Sequence, residues 1–315
     1  MLALAGIPLG LSFRFLDPSA DAPAAEAGEL LVGEYDDPDL LDRLAEGAAA
    51  VTYEFENVPV EAAQRVGVVP SALALELGQD RLVEKQLFQR LGIPTAAFGS
   101  PPLPVVIKSR RFGYDGKGQR IERGNYLTGD HELVEELVDF DRELSLLAVR
   151  GRDGDTRFWP LIENVHEDGI LRTSRAPAAD APQAEAEAYA ARLLDALGYV
   201  GVLALELFDV GGKLLANEFA PRVHNTGHWT IEGSATSQFE NHLRAILGLP
   251  LGSTESRPSL LVNLIGSLPR AEDVLAISGA HLHLYGKQPR LGRKLGHVTL
   301  VEPTQASEDA VRALL

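Results

Sequence analysis

LELFDVGGKLLANEFAPRVHN, residues 205–225, sets two glutamates inside apolar runs and follows them at once with cationic groups. The runs on either side of Gly211-Gly212 are strand-like, and two successive glycines accept the positive φ angles of a tight hairpin turn. Residues 201–219 therefore read as a β-hairpin. Folded about residue 212, it sets Glu206 opposite Glu218 within one residue of register, and opposed side chains share a face about 5 Å apart. Two carboxylates that close repel unless something cationic lies between them. Hard oxygen ligands suit Mg²⁺, and Asn217 becomes a neutral third ligand if a bulge turns it inward. The alternative is an amphipathic hairpin with both acids in water.

Outward from the hairpin, polar and charged groups recur in clusters. KSRRFGYDGKGQ (108–119) places a lysine before a glycine-rich, basic loop. Such a loop closes over phosphates, its N–H groups cradling oxygens, or stands as an exposed basic turn. It matches neither a P-loop nor GxGxxG. APRVHNTGHWTIEGSATSQFENH (220–242) gathers Arg222, His224, Asn225, His228, Gln238 and Glu240 into a candidate site. YGKQPRLGRKLGH (285–297) groups Lys287, Arg290, Arg293, Lys294 and His297, an anion site or a solvated turn. YEFENVP (53–59) puts Glu54 and Glu56 on one face at a strand end, where open α/β sheets bind ligands.

The remaining elements follow from periodicity. Residues 11–16 and 51–55 read as buried strands, with a helix over DDPDLLDRLAEGA (36–48) capped by Asp36 or Asp37 and stopped at Gly47. Strand, helix and strand suggest a parallel βαβ unit, and 18–29 is a polar connection. A helix runs from Asp80 to about Leu91, with Leu82, Phe88 and Leu91 on one side. LPVVIKS (103–109) is a buried strand. Residues 182–197 form an Ala-rich helix stopped at Gly198. HELVEELVDF (131–140) has helical period, while its valines permit a strand.

Bulk composition bounds the function. The 315 residues allow two or three domains, and 45% hydrophobic with 23% charged residues is ordinary for a soluble protein. A net charge of −16 argues against a nucleic-acid binder, and the absence of cysteine removes disulfides and thiolate metal sites. No apolar run approaches the roughly 18 residues of a membrane span. A cytoplasmic location fits.

Together the motifs resemble the ATP-grasp superfamily and, within it, the 5-(carboxyamino)imidazole ribonucleotide synthase family of purine biosynthesis. The resemblance is carried by EFENVP (54–59), QDRLVEKQLFQRLGIPTA (79–96), KSRRFGYDGKGQ, FDRELS (140–145), ENVHEDGILRTSRAP (163–177), NEFAPRVHNTGHWTIEGSATSQFENHLRAILGLPLG (217–252) and YGKQPRLGRKLGHVTL (285–300), nearly the whole chain. It implies an α/β and α+β architecture. A Rossmann-like N-terminal domain spans 1–75, an ATP-grasp domain with a lid subdomain 76–248, and a small C-terminal domain 249–315. Family members begin with a strand and a GGGQLG-like turn before MLALA, so the N-terminal sheet is expected to lack that strand. The stretches before Lys108 and between Gln119 and Glu135 are shorter than in the family, so a reduced lid subdomain is expected.

The same resemblance implies the reaction: ATP, bicarbonate and 5-aminoimidazole ribonucleotide give the carboxyamino product, ADP and phosphate by way of carboxyphosphate, in a homodimer. It implies that Glu206 and Glu218 hold Mg²⁺ and that Arg81, Lys108, Asn217 and Glu218 lie at the nucleotide. The loop Gly113, Asp115, Gly116, Lys117, Gly118 and Gln119 would cover it. Glu135 to Val138 would be a hinge strand facing adenine, overruling the helical period there, with Glu143 on the ribose and His166 nearby. Arg222, His224 and Asn225 would serve bicarbonate and carboxyphosphate. Glu56, Tyr114, Lys287, Arg293 and Lys294 would take the imidazole ribonucleotide. Alternatives are a formate-using relative acting on glycinamide ribonucleotide and an ATP-binding protein without turnover.

Overall fold

In residues 201–207, Leu203, Leu205 and Leu207 enter one apolar core while Val202 and Ala204 enter another. A strand buried on both sides needs that alternation, and the main sheet is built around it. The computed structural model describes residues 1–113 and 118–315.

The N-terminal region carries a two-stranded parallel sheet, β1 (Arg14–Asp17) and β2 (Glu29–Val32). Helix α1 (Pro38–Ala45) follows, and the Asp37 carboxylate accepts from the N–H groups of Asp39 and Leu40 at 3.0 and 3.1 Å. Residues 51–55, expected as a strand, are not one. Their backbone meets a neighbour only where Val69 N–H donates to the Val51 carbonyl at 2.8 Å, among the described residues. The partner of β1 is instead β2, which begins at Glu29, the last residue of the stretch expected as a connection.

Helix α2 (Arg81–Arg90) starts at Asp80, whose side chain caps Leu82 N–H at 3.1 Å. Its buried residues are Glu84, Lys85, Leu87 and Phe88, whereas Leu82 and Leu91 are only half-buried. The inner face is thus half polar, a correction to the apolar stripe expected. Strands β3 (Val105–Ser109), β4 (Gln119–Glu122) and β5 (Glu132–Glu136) form an antiparallel sheet ordered β4-β3-β5. The helical period of 131–140 is overruled: five of those residues pair with β3, Val106 facing Glu135.

Then come β6 (Arg142–Arg150), β7 (Thr156–Phe158), β8 (Ile162–Glu167), β9 (Ile170–Ala176), helix α3 (Gln183–Ala196), β10 (Gly201–Val210), β11 (Lys213–Ala220), helix α4 (Gln238–Leu247), β12 (Ser259–Ile265), β13 (Ala280–Leu284) and β14 (Lys294–Val301). The strands make one nine-stranded sheet, β11-β10-β6-β8-β9-β12-β14-β13, with β7 beside β6. Helix α3 covers one face through Tyr189, Leu193 and Leu194. Helix α4 covers the other through Phe239, Leu243 and Ile246. Beyond the end of α4's cover, that second face carries polar groups.

His242 in α4 joins distant parts of the chain. Its ring accepts from Val202 N–H at 3.1 Å and bonds the Thr52 hydroxyl at 2.9 Å. Complete burial lowers its pKa from 6.5 to about 4. A depressed histidine contributes stability that is present above pH 6.5 and lost as pH falls through 4, on the order of 3 kcal/mol. Thermal melts at neutral and mildly acidic pH are expected to show this loss, and His242→Gln is expected to flatten it. An unchanged pH slope in the variant would place the acid sensitivity elsewhere.

Candidate functional site

Gly211 and Gly212 take φ of 59° and 80°, so the strands flanking them twist together as a two-residue hairpin. Pairing is regular from Val210↔Lys213 to Leu207↔Ala216 and then shifts, giving Glu206↔Glu218 and Leu205↔Phe219. The extra residue is Asn217. This bulge lets Leu214, Ala216 and Phe219 all reach one core and leaves two successive residues, Asn217 and Glu218, pointing away from it. An unbulged strand would turn one of them inward.

The neighbouring registers extend this face. Glu206 lies opposite Ser145 and Phe208 opposite Glu143, so Glu143 shares the side of Glu206. The Glu143 carboxylate pairs with His166 Nδ1, which raises the imidazole pKa against the pull of desolvation. Past the hairpin, His224 Nε2 lies 3.2 Å from Glu206 Oε1. Gln238, fully buried, accepts from His224 N–H at 2.9 Å and donates to its carbonyl at 2.6 Å, fixing the backbone there.

The two acids differ in charge. Desolvation, with the charge of Glu218 added, pushes Glu206 up to about 8. Desolvation would raise Glu218 as well, but the Arg81 guanidinium bonded to it brings it down to about 2. His224 is held near 3 by burial and the adjacent Arg222, so its ring is neutral. Among the described residues no group of three or more His, Cys, Asp or Glu could hold a metal by itself. Mg²⁺ bound by one or two carboxylates normally completes its shell with water and phosphate oxygens. The opposed pair, desolvated and mutually repelling until a cation lies between its members, fits that kind of ion.

Cations ring the acids. Lys108 Nζ lies 2.9 Å from Glu135 Oε2 and 3.2 Å from Asn217 Oδ1. Lys85, fully buried, reaches the same Glu135 oxygen at 3.3 Å. Arg110 grips both oxygens of Asp80 at 3.1 and 2.7 Å, and Arg111 adds a contact at 3.3 Å. Arg222 Nε donates to Glu56 at 2.9 Å. A cavity of about 60 Å³ opens between these groups, with Arg81, Glu218, Arg222, His224, Glu56 and Gly113 in its lining.

On the C-terminal side, Lys294 donates to Asn225 Oδ1 and sits 5.4 Å from the centre of the Tyr285 ring, with Lys287 at 5.7 Å. Desolvation lowers the Lys287 pKa, with Arg293 nearby adding to it. Arg293 itself donates to the Gln288 carbonyl at 3.4 Å. In the glycine loop, Gln119 faces Lys108 in register. Gly118 takes φ +75° with its carbonyl 2.6 Å from Ser109 N, and a Cβ there would lie 2.8 Å from the Ser109 hydroxyl. Tyr114, Asp115, Gly116 and Lys117 lie outside the described residues. Val138 follows β5, half-buried.

The structure thus joins Arg81, Lys108, Glu135, Glu206, Asn217, Glu218, Arg222, His224 and Glu56 into one network. Gln238, one of the polar cluster at 220–242, joins it through His224, and so do Glu84 and Lys85, to which apolar spacing gives no role. Positions 81, 84, 85 and 88 share a helix face, and that spacing was the available signal.

Comparison with known proteins agrees with this arrangement. Residues 93–239 match the ATP-grasp domain, 259–310 the phosphoribosylaminoimidazole carboxylase C-terminal domain, and 1–79 the ribonucleotide synthetase preATP-grasp domain. The chain is 49% identical to the N5-carboxyaminoimidazole ribonucleotide synthase of Pseudomonas aeruginosa, over 95% of this chain and 91% of the relative. It superposes on the crystal structure of N5-carboxyaminoimidazole ribonucleotide synthetase from Thermus thermophilus with a TM-score of 0.94 at 55% identity, covering 100% of this chain and 94% of the other. It is likewise similar to the N5-carboxyaminoimidazole synthase of Aspergillus clavatus in complex with ADP and 5-aminoimidazole ribonucleotide, with a TM-score of 0.87, 29% identity and coverage of 99% and 95%.

Proposed function

The chain belongs to the N5-carboxyaminoimidazole ribonucleotide synthase family, and from that membership we propose how its residues divide the reaction. The enzyme is an ATP-grasp ligase that uses ATP to carboxylate 5-aminoimidazole ribonucleotide with bicarbonate, giving the N5-carboxyamino product, ADP and phosphate.

Glu206 and Glu218 would hold Mg²⁺, which when bound supplies neutralisation of charge on the phosphate oxygens. Arg81, Lys108 and Asn217 orient the phosphates, and phosphoryl transfer needs little beyond such positioning and charge. Glu135, Val138, Glu143 and His166 lie on the nucleotide side, with 113–119 as the cover that keeps water from carboxyphosphate. Arg222, His224 and Asn225 receive the bicarbonate-derived anion. Neutral His224 can donate or accept a hydrogen bond without adding charge. Glu56, Tyr114, Lys287, Arg293 and Lys294 take the imidazole ribonucleotide. The observation that carries the reading is the Glu206↔Glu218 pair set directly against Arg81 and beside Lys108.

We place the domain limits at 1–75, 76–248 and 249–315. Separate apolar clusters around Tyr53, Ala63 and Leu75 and around Leu260, Leu264 and Val298 support the outer two. The family supports a cytoplasmic homodimer. Among the described residues no helix is long and apolar enough to cross a membrane.

Coupled measurement of ADP release tests the reaction. It is expected to require bicarbonate and 5-aminoimidazole ribonucleotide together. Release stimulated only by formate with glycinamide ribonucleotide would transfer the chain to the formate-using branch, and ATP binding without any stimulated release would mark a protein that has lost turnover.

A further inference from the structure

Helix α2 runs along the edge strand β11 and meets it residue by residue. Arg81 bonds the Glu218 carboxylate, Glu84 accepts from Phe219 N–H at 2.6 Å, and the Phe88 ring lies edge-on to Phe219 at 6.2 Å. Between them Lys85 points into the bulge. Its Nζ lies 2.8 Å from the Asn217 carbonyl and 3.4 Å from the Ala216 carbonyl. Successive carbonyls of a regular strand point to opposite sides, so two of them converging on one ammonium is a property of the bulge.

Thr95 completes the grip. Its hydroxyl donates to the Ala216 carbonyl at 2.6 Å and accepts from Lys85 at 3.0 Å, while Pro94 accepts from Ala216 N–H at 2.7 Å. The fourth partner of the ammonium is Glu135 Oε2, which Lys108 shares. Lys85 is fully buried and its ammonium is taken up by Asn217, Ala216, Thr95 and Glu135, so it acts on a ligand through the groups it holds.

We infer that Lys85 is a positioning residue: its ammonium clamps the Asn217 bulge, and through it the orientation of Glu218 toward Glu206 and of Asn217 toward Lys108. The clamp rests on the metal–nucleotide reading of the hairpin and adds to it a residue that touches neither ligand. Without the ammonium, the two convergent carbonyls lose their common donor, and the bulge relaxes toward straight-strand geometry in which Asn217 and Glu218 cannot both face the site.

The test is the leverage of magnesium on ADP binding, taken as the ratio of ADP dissociation constants in EDTA and in Mg²⁺ and measured by calorimetry on the full chain. For Lys85→Met the leverage is expected to fall at least tenfold, while KM for 5-aminoimidazole ribonucleotide stays within about twofold, because the clamp acts on the metal half of the site. Thr95→Val, which removes only the hydroxyl bridge, is expected to show the same change at smaller size. It decides the matter should Lys85→Met fail to fold, as judged by its melting curve. Leverage within twofold of the parent in the folded variants would overturn the clamp. Absence of leverage in the parent chain would instead overturn the metal reading.

Discussion

Glu218→Gln is expected to lower kcat/KM for the ATP-dependent reaction by about 10²–10³-fold, the scale seen when one electrostatic contact to a developing charge is removed. The substitution is nearly isosteric and partly exposed at the surface of the site, so folding is expected to survive. What changes is charge. Arg81 loses the anion bonded to it, and Glu206 loses the neighbour whose charge helps to hold its carboxyl near 8. The Mg²⁺ concentration giving half-maximal ADP release is expected to rise with the fall in rate. A variant within tenfold of the parent, with unchanged magnesium requirement, would remove the opposed acids from the centre of the site.

Arg222→Met is expected to be as damaging to turnover but to leave nucleotide binding alone. The Arg222 guanidinium is held by Glu56 at 2.9 Å and by its own chain at the Val223 carbonyl at 3.0 Å, with His224 two residues on. Its hydrogen bonds go to these groups, and Glu206 and Glu218 act on it through their charge alone. Loss of about 10²–10³ in kcat/KM for the bicarbonate reaction, with the Mg·ADP dissociation constant within about twofold, is the expected pattern. The ion pair itself matters less: Glu56 keeps 35% of its side-chain surface, water can replace its partner, and the stability change is expected to stay near 1 kcal/mol. A parallel fall in ADP affinity would move Arg222 to the nucleotide side.

The errors of the sequence reading have physical causes. Residues 131–140 carry a helical period, yet 132–136 form a strand because β3 offers a ladder to pair with, and pairing outweighs local propensity. Glu135 then stands buried beside two lysines at 85 and 108, neither near it in sequence. Residues 51–55 alternate as a strand should but have no strand beside them among the described residues, and alternation alone makes no ladder. On α2, apolar spacing picked out Leu82 and Leu91, while burial selected Glu84 and Lys85 because β11 presents backbone donors and acceptors that only polar side chains can satisfy.

Local chemistry was enough to place the hairpin turn at two glycines, the cap at Asp37 or its neighbour, the start of α2 at Asp80, and the approximate opposition of Glu206 and Glu218. These depend on φ preferences, capping and period, all of which act between residues close in the chain. The single-residue shift that completes the opposition was not local. Asn217 is extruded because Leu214, Ala216 and Phe219 must all enter the same core, and because a lysine more than a hundred residues earlier receives the two carbonyls that the bulge turns outward. Both conditions exist only once the sheet, its core and α2 are assembled.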